Sequence, residues 1–248
     1  MRIRNFILTA TLVVSHFIYS QSGVQKETYQ AFLNNDETRW RNVTTKFEKS
    51  ADLNESADLL QLIHYYYCYV SVLIDKQMDK QADENIRKAE VYISKVLKSE
   101  PNNALGINYK GIFQSYLVSL NKMKAATMGK QILGNLNKAY SLDPNSVQIL
   151  FDRGNSFYYP PKVLGGNKKE ALNYFQKAIS LIEKQKNTHQ NWMYLQLLFL
   201  EAHCNELLGN TDLARKGYEK ALKTEPNFKL VRDKYYPDFL KKIRKLIA

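Results

Sequence analysis

The sequence has few of the residues on which several classes of protein depend. Its two cysteines exclude a small scaffold held together by several disulfides. Its ten glycines and six prolines are about half of the usual proportion, which disfavours a turn-rich all-β fold. The 248 residues are 44% hydrophobic and 24% charged, a balance typical of a chain that forms a packed core.

Motifs for catalysis and for cofactor or metal binding are also missing. The chain contains no H-E-x-x-H, no C-x-x-C and no G-x-S-x-G sequence. Gly165 and Gly166 lack the frame of a phosphate-binding loop, and the adjacent carboxylates of Asp83 and Glu84 do not face each other on a helix. We therefore expect no enzymatic activity, no cofactor and no metal site.

Residues 1–20 have the pattern of an export signal. Two arginines precede about fourteen apolar residues that end at Tyr19, and Ser20 is a small residue suited to a cleavage site. The apolar stretch is shorter than the roughly 20 residues that a membrane-spanning helix needs. We expect cleavage after Ser20 and a periplasmic or secreted protein with no stable membrane insertion. A retained anchor and a buried N-terminal helix are the alternatives.

The formal net charge is +12, and removal of the signal lowers it to +10. In an exported protein, this surplus favours anionic envelope polymers or acidic protein surfaces as partners over nucleic acid. We expect no nucleic-acid partner. The alternative is that the basic residues only form solvated helix faces.

A 43-residue period runs through most of the chain, and such a period indicates a repeat architecture. Pro101 and Pro144 are 43 residues apart, and Cys68, Gly111 and Gly154 share this spacing. The same interval relates Ala171 to Ala214, Phe175 to Tyr218, and Ala178 to Ala221. Within each of the two helices, the three positions are separated by four and three residues, which places them on one helical face. The small residues among them allow a second helix to approach closely.

Each repeat is predicted to be a pair of helices, A and B. The helix A candidates are residues 56–75, 104–121, 146–158 and 190–207, and the helix B candidates are residues 80–99, 126–142, 167–184 and 211–224. We predict an N-terminal helix pair in residues 21–55, four repeat pairs, and a C-terminal capping helix in residues 228–248 that breaks before Pro237. The four pairs occupy residues 56–101, 102–144, 145–186 and 188–227.

The chain resembles the tetratricopeptide repeat (TPR) family over roughly residues 56–227. The best copy, residues 198–227, carries the family's pattern at Ala202, Gly209, Ala214, Tyr218, Ala221 and Pro226. Extra residues between helices A and B of the first three copies also suit HEAT-like pairs. The resemblance implies an all-α, right-handed α–α superhelix with capping helices at both ends. Residues 158–181, with a P-x4-G-G sequence, look like exported bacterial TPR proteins associated with tripartite (TRAP) solute transporters.

Helix A lines the concave surface of such an array, which makes it the expected binding groove. In the 43-residue register, the groove candidates are Tyr65, Tyr69, Asn108, Ser115, Asn155, Tyr158, His203 and Glu206. We expect an exported scaffold that binds a protein or peptide partner there, and the alternative is a periplasmic solute-binding or transporter-associated component. The tyrosines at 65–67 and 69 can equally pack the first repeat against its neighbours. Trp40 and both cysteines are expected in the core, with the cysteines unpaired.

Overall fold

The structure is a computed structural model that describes residues 23–247, so the expected export signal and its cleavage site lie outside the described residues. Within that range all regular secondary structure is helical, which confirms the all-α prediction. The helices are α1 (residues 23–33), α2 (Glu37–Ser50), α3 (Ser56–Asp75), α4 (Asp79–Ser99), α5 (Ala104–Leu120), α6 (Ala125–Leu142), α7 (Val147–Tyr158), α8 (Lys168–Lys184), α9 (Trp192–Leu207), α10 (Thr211–Thr224) and α11 (Tyr236–Ile247). The eight repeat helices begin and end within two residues of the predicted positions.

Several helices begin at a residue whose side chain accepts a hydrogen bond from a free backbone N–H of the first turn. The Asp36 carboxylate accepts from the amide of Arg39 at the start of α2, and the Asn103 side chain accepts from Gly106 at the start of α5. Such caps stabilise a helix end by about 1 kcal/mol. They fix the residue at which each of these helices begins.

Consecutive helices pack as antiparallel pairs, α3 with α4, α5 with α6, α7 with α8, and α9 with α10, and each pair packs on the next. Small residues bring the two helices of a pair together. A Cβ atom added to Gly154 would lie 2.3 Å from the ring of Phe175, and one added to Gly217 would lie 2.8 Å from Ala202. The alternation of small and large residues therefore has the predicted role, and the chain forms a helical-repeat superhelix.

The N-terminal helix α1 closes this superhelix by contacting its last pair. The Tyr29 hydroxyl donates a hydrogen bond to Glu225 at the end of α10, with an O–O distance of 2.9 Å. The ring of Phe32 lies 5.6 Å from that of Phe228, measured between centroids. The first helix and the last repeat pair are therefore in contact, and this contact determines which surfaces remain available for binding.

The C-terminal cap differs from the prediction, because the helix is not broken before Pro237. A π-helical turn at Leu230–Tyr235 leads directly into α11, and the amide of Tyr236 bonds to the carbonyl of Val231 five residues earlier. This wider turn accommodates the proline ring, which lacks an N–H group and would clash in a regular helix. Val231 and Phe239 are buried and cover the end of the core.

The predicted core residues are in the core. Trp40 is only 2% exposed, and Cys68 and Cys204 are both free thiols in buried positions. The two cysteines lie in α3 and α9, the first and last repeat pairs, as the register predicted.

Candidate functional site

Aromatic side chains fill the inner faces of helices α3, α5 and α7, where the groove was expected. The ring of Tyr67 lies 6.0 Å from that of Tyr109 and 5.9 Å from that of Tyr116, and both Tyr67 and Tyr109 are buried. Burial raises the pKa of all three phenols well above its usual value, so they remain protonated donors. This part of the concave side is therefore core rather than an open groove.

A buried carboxylate ties these three helices together. Asp152 on α7 is 1% exposed and accepts hydrogen bonds from the Tyr67 hydroxyl (3.0 Å), the Asn108 amide (2.6 Å) and the Gln148 amide (2.8 Å). Burial raises the pKa of Asp152 to about 6, while the three donors act in the opposite direction. The cluster fixes the relative positions of α3, α5 and α7.

His64 extends the same polar cluster towards the surface. Its Nδ1 atom lies 3.0 Å from the Tyr109 hydroxyl, and its ring stacks at 5.9 Å on Trp192 from α9. Burial lowers the pKa of His64 to about 4, opposed by an interaction with Gln148. The imidazole is therefore neutral at pH 7 and accepts or donates within the cluster rather than carrying charge.

Four of the predicted groove residues lie on the first two pairs and occupy different surroundings. Tyr65 lines an open cleft described below, whereas the Tyr69 hydroxyl donates to Glu37 of α2, 3.4 Å away. Asn108 is fully buried beside Asp152, and the Ser115 hydroxyl donates to the Gly111 carbonyl of its own helix. The 43-residue register gave the position of each side chain along its own helix, but it did not reveal which neighbouring helix that side chain would face.

The other four lie on α7 and α9, and two of these meet. Tyr158 and His203 form a hydrogen bond with each other, while Asn155 is half-buried. Glu206 accepts from the Tyr218 hydroxyl (2.8 Å) and pairs with Lys242 of α11 (3.4 Å), so it faces the C-terminal cap. The structure thus joins Tyr158 with His203 but does not assemble the eight residues into one surface.

An open cleft lies instead between the N-terminal helices, the start of α3 and the connection from α8 to α9. Its volume is about 2000 Å³. Its apolar lining includes Val43, Phe47, Tyr65 and Trp192, and the rings of Phe47 and Tyr65 meet edge to face with centroids 5.2 Å apart. His64 of the buried cluster also lines the cleft. The other polar residues along it include Lys26, Glu27, Asp36, Arg39, Asn42, Lys46, Asp58, Gln61, Asn187, Gln190 and Asn191.

The polar rim of the cleft combines paired charges with exposed amides. Arg39 pairs with Glu27 at 2.7 Å and with Asp36 at 3.2 Å, so each of these two carboxylates has a cationic partner. Asn42 and Gln61 have exposed side chains on opposite helices. Side-chain amides both donate and accept hydrogen bonds, so this rim is chemically suited to the peptide groups of another chain.

Sequence reasoning missed the cleft because its walls come from residues 23–65 and 187–192, which no single repeat contains. The buried cluster, however, had a readable signal. In the 43-residue register, Asp152 takes the position that Tyr66 and Tyr109 occupy in the preceding repeats. An acid in place of a buried aromatic residue indicates a polar site inside the core.

Two further observations concern the described residues alone. Across residues 23–247, the side chains of histidine, cysteine, aspartate and glutamate do not come together in groups of three that could hold a metal ion. The helices within the same range are all too short or too polar to cross a membrane.

Comparison with known families identifies the repeat type of the last pair. Residues 195–228 match the tetratricopeptide repeat family. The matched stretch covers most of α9 and all of α10, the pair whose sequence carried the best resemblance. TPR proteins are generally non-catalytic scaffolds that bind other proteins. No curated protein matches the chain at a significant level.

Proposed function

We propose that the protein is an exported, non-catalytic TPR scaffold that binds an extended segment of another protein in the cleft between α1, α2, α3 and the α8–α9 connection. Export rests on the charged and apolar pattern of residues 1–20. Partner binding rests on the TPR match in residues 195–228 and on the cleft itself.

The observation that carries the proposal is the combination of an aromatic lining and an amide-rich rim in one open cleft. Phe47, Tyr65 and Trp192 offer a rigid apolar surface against which the side chains of a partner can be buried. The amides of Asn42 and Gln61 lie where they can bond the partner's backbone. These are the two kinds of contact that an extended peptide needs.

The cleft also favours a protein segment over a small solute. It is open along α2, and the loop with the P-x4-G-G sequence, residues 160–166, is not among its lining residues. That loop therefore does not close it into the enclosed pocket that a solute-binding component would use. The absence of catalysis is supported by the position of Asp152, a carboxylate with a raised pKa that is 1% exposed and is not among the residues lining the cleft.

The first experiment identifies the partner. The full-length chain is tagged and crosslinked in its native host, and the attached protein is identified by mass spectrometry. Its dissociation constant for the unmodified chain is then measured with purified components.

The second experiment locates the binding surface. The variant Lys46→Glu/Gln61→Ala changes two exposed cleft residues, and Lys88→Glu/Gln81→Ala makes the same changes at exposed positions of α4, which do not line the cleft. We expect the cleft variant to weaken binding by at least about tenfold, equivalent to about 1.4 kcal/mol, and the control to bind normally. Equal affinity of the two variants would place the partner elsewhere.

A further inference from the structure

We propose that one edge of the helical array docks on an anionic phospholipid surface. The edge consists of two connections, residues 121–124 between α5 and α6 and residues 159–167 between α7 and α8, which we call the docking loops. They join the first and second helices of consecutive pairs and therefore emerge at the same end of the array. This inference does not depend on the cleft or on its partner.

Exposed apolar side chains are concentrated at this edge. Val163, Met123 and Leu164 are 90%, 86% and 74% exposed, whereas the core side chains of the neighbouring helices are sealed. Of the eleven large apolar side chains that are exposed in the described part of the chain, seven lie at or beside a connection between the two helices of a pair. These seven are Met123, Tyr159, Val163, Leu164, Leu207, Leu208 and Leu213.

The docking loops hold these side chains outward in a defined conformation. A TPR pair needs only a short turn here, as residues 208–210 show, so the second docking loop is longer than the fold requires. The amide of Gly166 bonds to the Pro161 carbonyl, and the amide of Asn167 bonds to the Phe157 carbonyl. A Cβ atom on Gly166 would lie 1.9 Å from the Pro160 carbonyl oxygen, so the tight bend requires glycine. The loop therefore cannot easily fold Val163 and Leu164 inward.

The charges around the exposed tips are positive. Lys122 and Lys124 flank Met123, Lys162 precedes Val163, and the docking loops themselves contain no acidic residue. Opposing charges lie on the helices: Glu90 of α4 is within electrostatic reach of Lys124, Asp75 at the end of α3 is within reach of Tyr159, and Glu170 lies in the first turn of α8. Lysines beside inserted apolar residues are the pattern by which proteins bind the surface of an anionic membrane.

The charges and the shape of this edge favour a lipid surface over a protein partner. Protein interfaces are depleted of lysine and concentrate their binding energy in tryptophan, tyrosine and arginine within well-packed pockets. The docking loops carry three lysines and no arginine, and they present Tyr159 together with methionine, valine and leucine on protruding turns rather than in a concave pocket. Neighbouring helices pack on the order of 10 Å apart, so the tips of consecutive pairs can reach one membrane surface together.

The test is a vesicle co-flotation experiment with the full-length chain. The vesicles contain phosphatidylcholine alone or phosphatidylcholine with about one-third phosphatidylglycerol. The tip variant Met123→Ser/Val163→Ser/Leu164→Ser is compared with Val91→Ser/Leu133→Ser/Leu142→Ser, a control that removes three aliphatic side chains exposed elsewhere. All proteins retain residues 1–22, so differences between them report the substituted side chains.

We expect the unmodified chain and the control to bind the anionic vesicles, and the tip variant to bind them at least about tenfold more weakly. Lys122→Gln/Lys162→Gln is expected to abolish the preference for anionic over neutral vesicles, because the headgroup attraction is lost. Equal binding by the tip variant and the unmodified chain overturns the proposal, as does failure of the unmodified chain to bind either vesicle. If the tip variant still binds the vesicles but no longer binds the purified protein partner, the proposal is also overturned and the edge is assigned to protein binding.

Discussion

Gly154 is the position where the packing of a helix pair is most sensitive to one methyl group. In Gly154→Ala, the new Cβ atom would lie 2.3 Å and 2.6 Å from two atoms of the Phe175 ring. Phe175 is fully buried, so its ring cannot move out into solvent. The helices α7 and α8 must separate or the ring must leave its preferred rotamer.

The expected loss of stability follows from two opposing effects. Overpacking of a core costs about 1–3 kcal/mol, and an overlap with two ring atoms of a buried side chain belongs at the upper end, about 3 kcal/mol. Alanine is favoured over glycine within a helix by about 1 kcal/mol. The net expectation is a decrease of about 2 kcal/mol in the free energy of unfolding.

Equilibrium unfolding in urea measures this effect, and the chain provides a matched control. A Cβ atom added to Gly134 of α6 would meet nothing within 4 Å, so Gly134→Ala should stabilise the protein by about 0.5–1 kcal/mol. The double variant Gly154→Ala/Phe175→Leu should recover part of the loss, because it removes the ring that the new methyl group meets. An unfolding free energy of Gly154→Ala equal to or above that of the unmodified chain would refute the packing argument.

Two further predictions concern the buried cluster and the closure of the array. The pKa of Asp152, about 6, lies above its usual value, so its contribution to stability falls as pH rises from 4 to 6. That of His64, about 4, lies below its usual value, so its contribution rises from pH 4 to 6.5. Relative to the unmodified chain, the stability of Asp152→Asn should therefore increase more steeply with pH over this range, and that of His64→Gln less steeply, in urea midpoints measured at each pH. Profiles of both variants that run parallel to that of the unmodified chain would contradict this. Tyr29→Phe removes the bond to Glu225 and should cost about 1 kcal/mol. It should speed hydrogen exchange in α1 but not in α6, and unchanged exchange in α1 would be inconsistent with closure.

The helices and their pairing were predictable because their determinants are local. Capping residues such as Asn103, and the spacing of Ala171, Phe175 and Ala178, act within one helix or between adjacent helices. Because equivalent residues recur every 43 positions, the helices identified in one pair predicted the helices of the next. The same period placed Cys68 and Gly154 in buried positions of their helices.

The binding surface was less predictable, because it depends on how far the array curves. Small differences in the angle between pairs accumulate, and they determine that Tyr29 meets Glu225, 196 residues away. Once α1 closes the array, the inner faces become core, and Asn108 is sealed beside Asp152. The period specifies neighbours within the stack but not its curvature, so the cleft between α1–α3 and the α8–α9 connection could not be derived from it.

The claim that a partner segment lies in the cleft can be tested directly by tryptophan fluorescence. The chain has two tryptophans, Trp40 and Trp192, whose ring centroids are 6.3 Å apart; Trp192 lines the cleft and is half-buried, whereas Trp40 is 2% exposed. Acrylamide quenching of the free protein should therefore report mainly Trp192, and Trp192→Phe supplies the baseline of the buried residue. We predict that saturation with the purified partner lowers quenching to nearly that baseline. Quenching that is unchanged at saturation would contradict binding in the cleft.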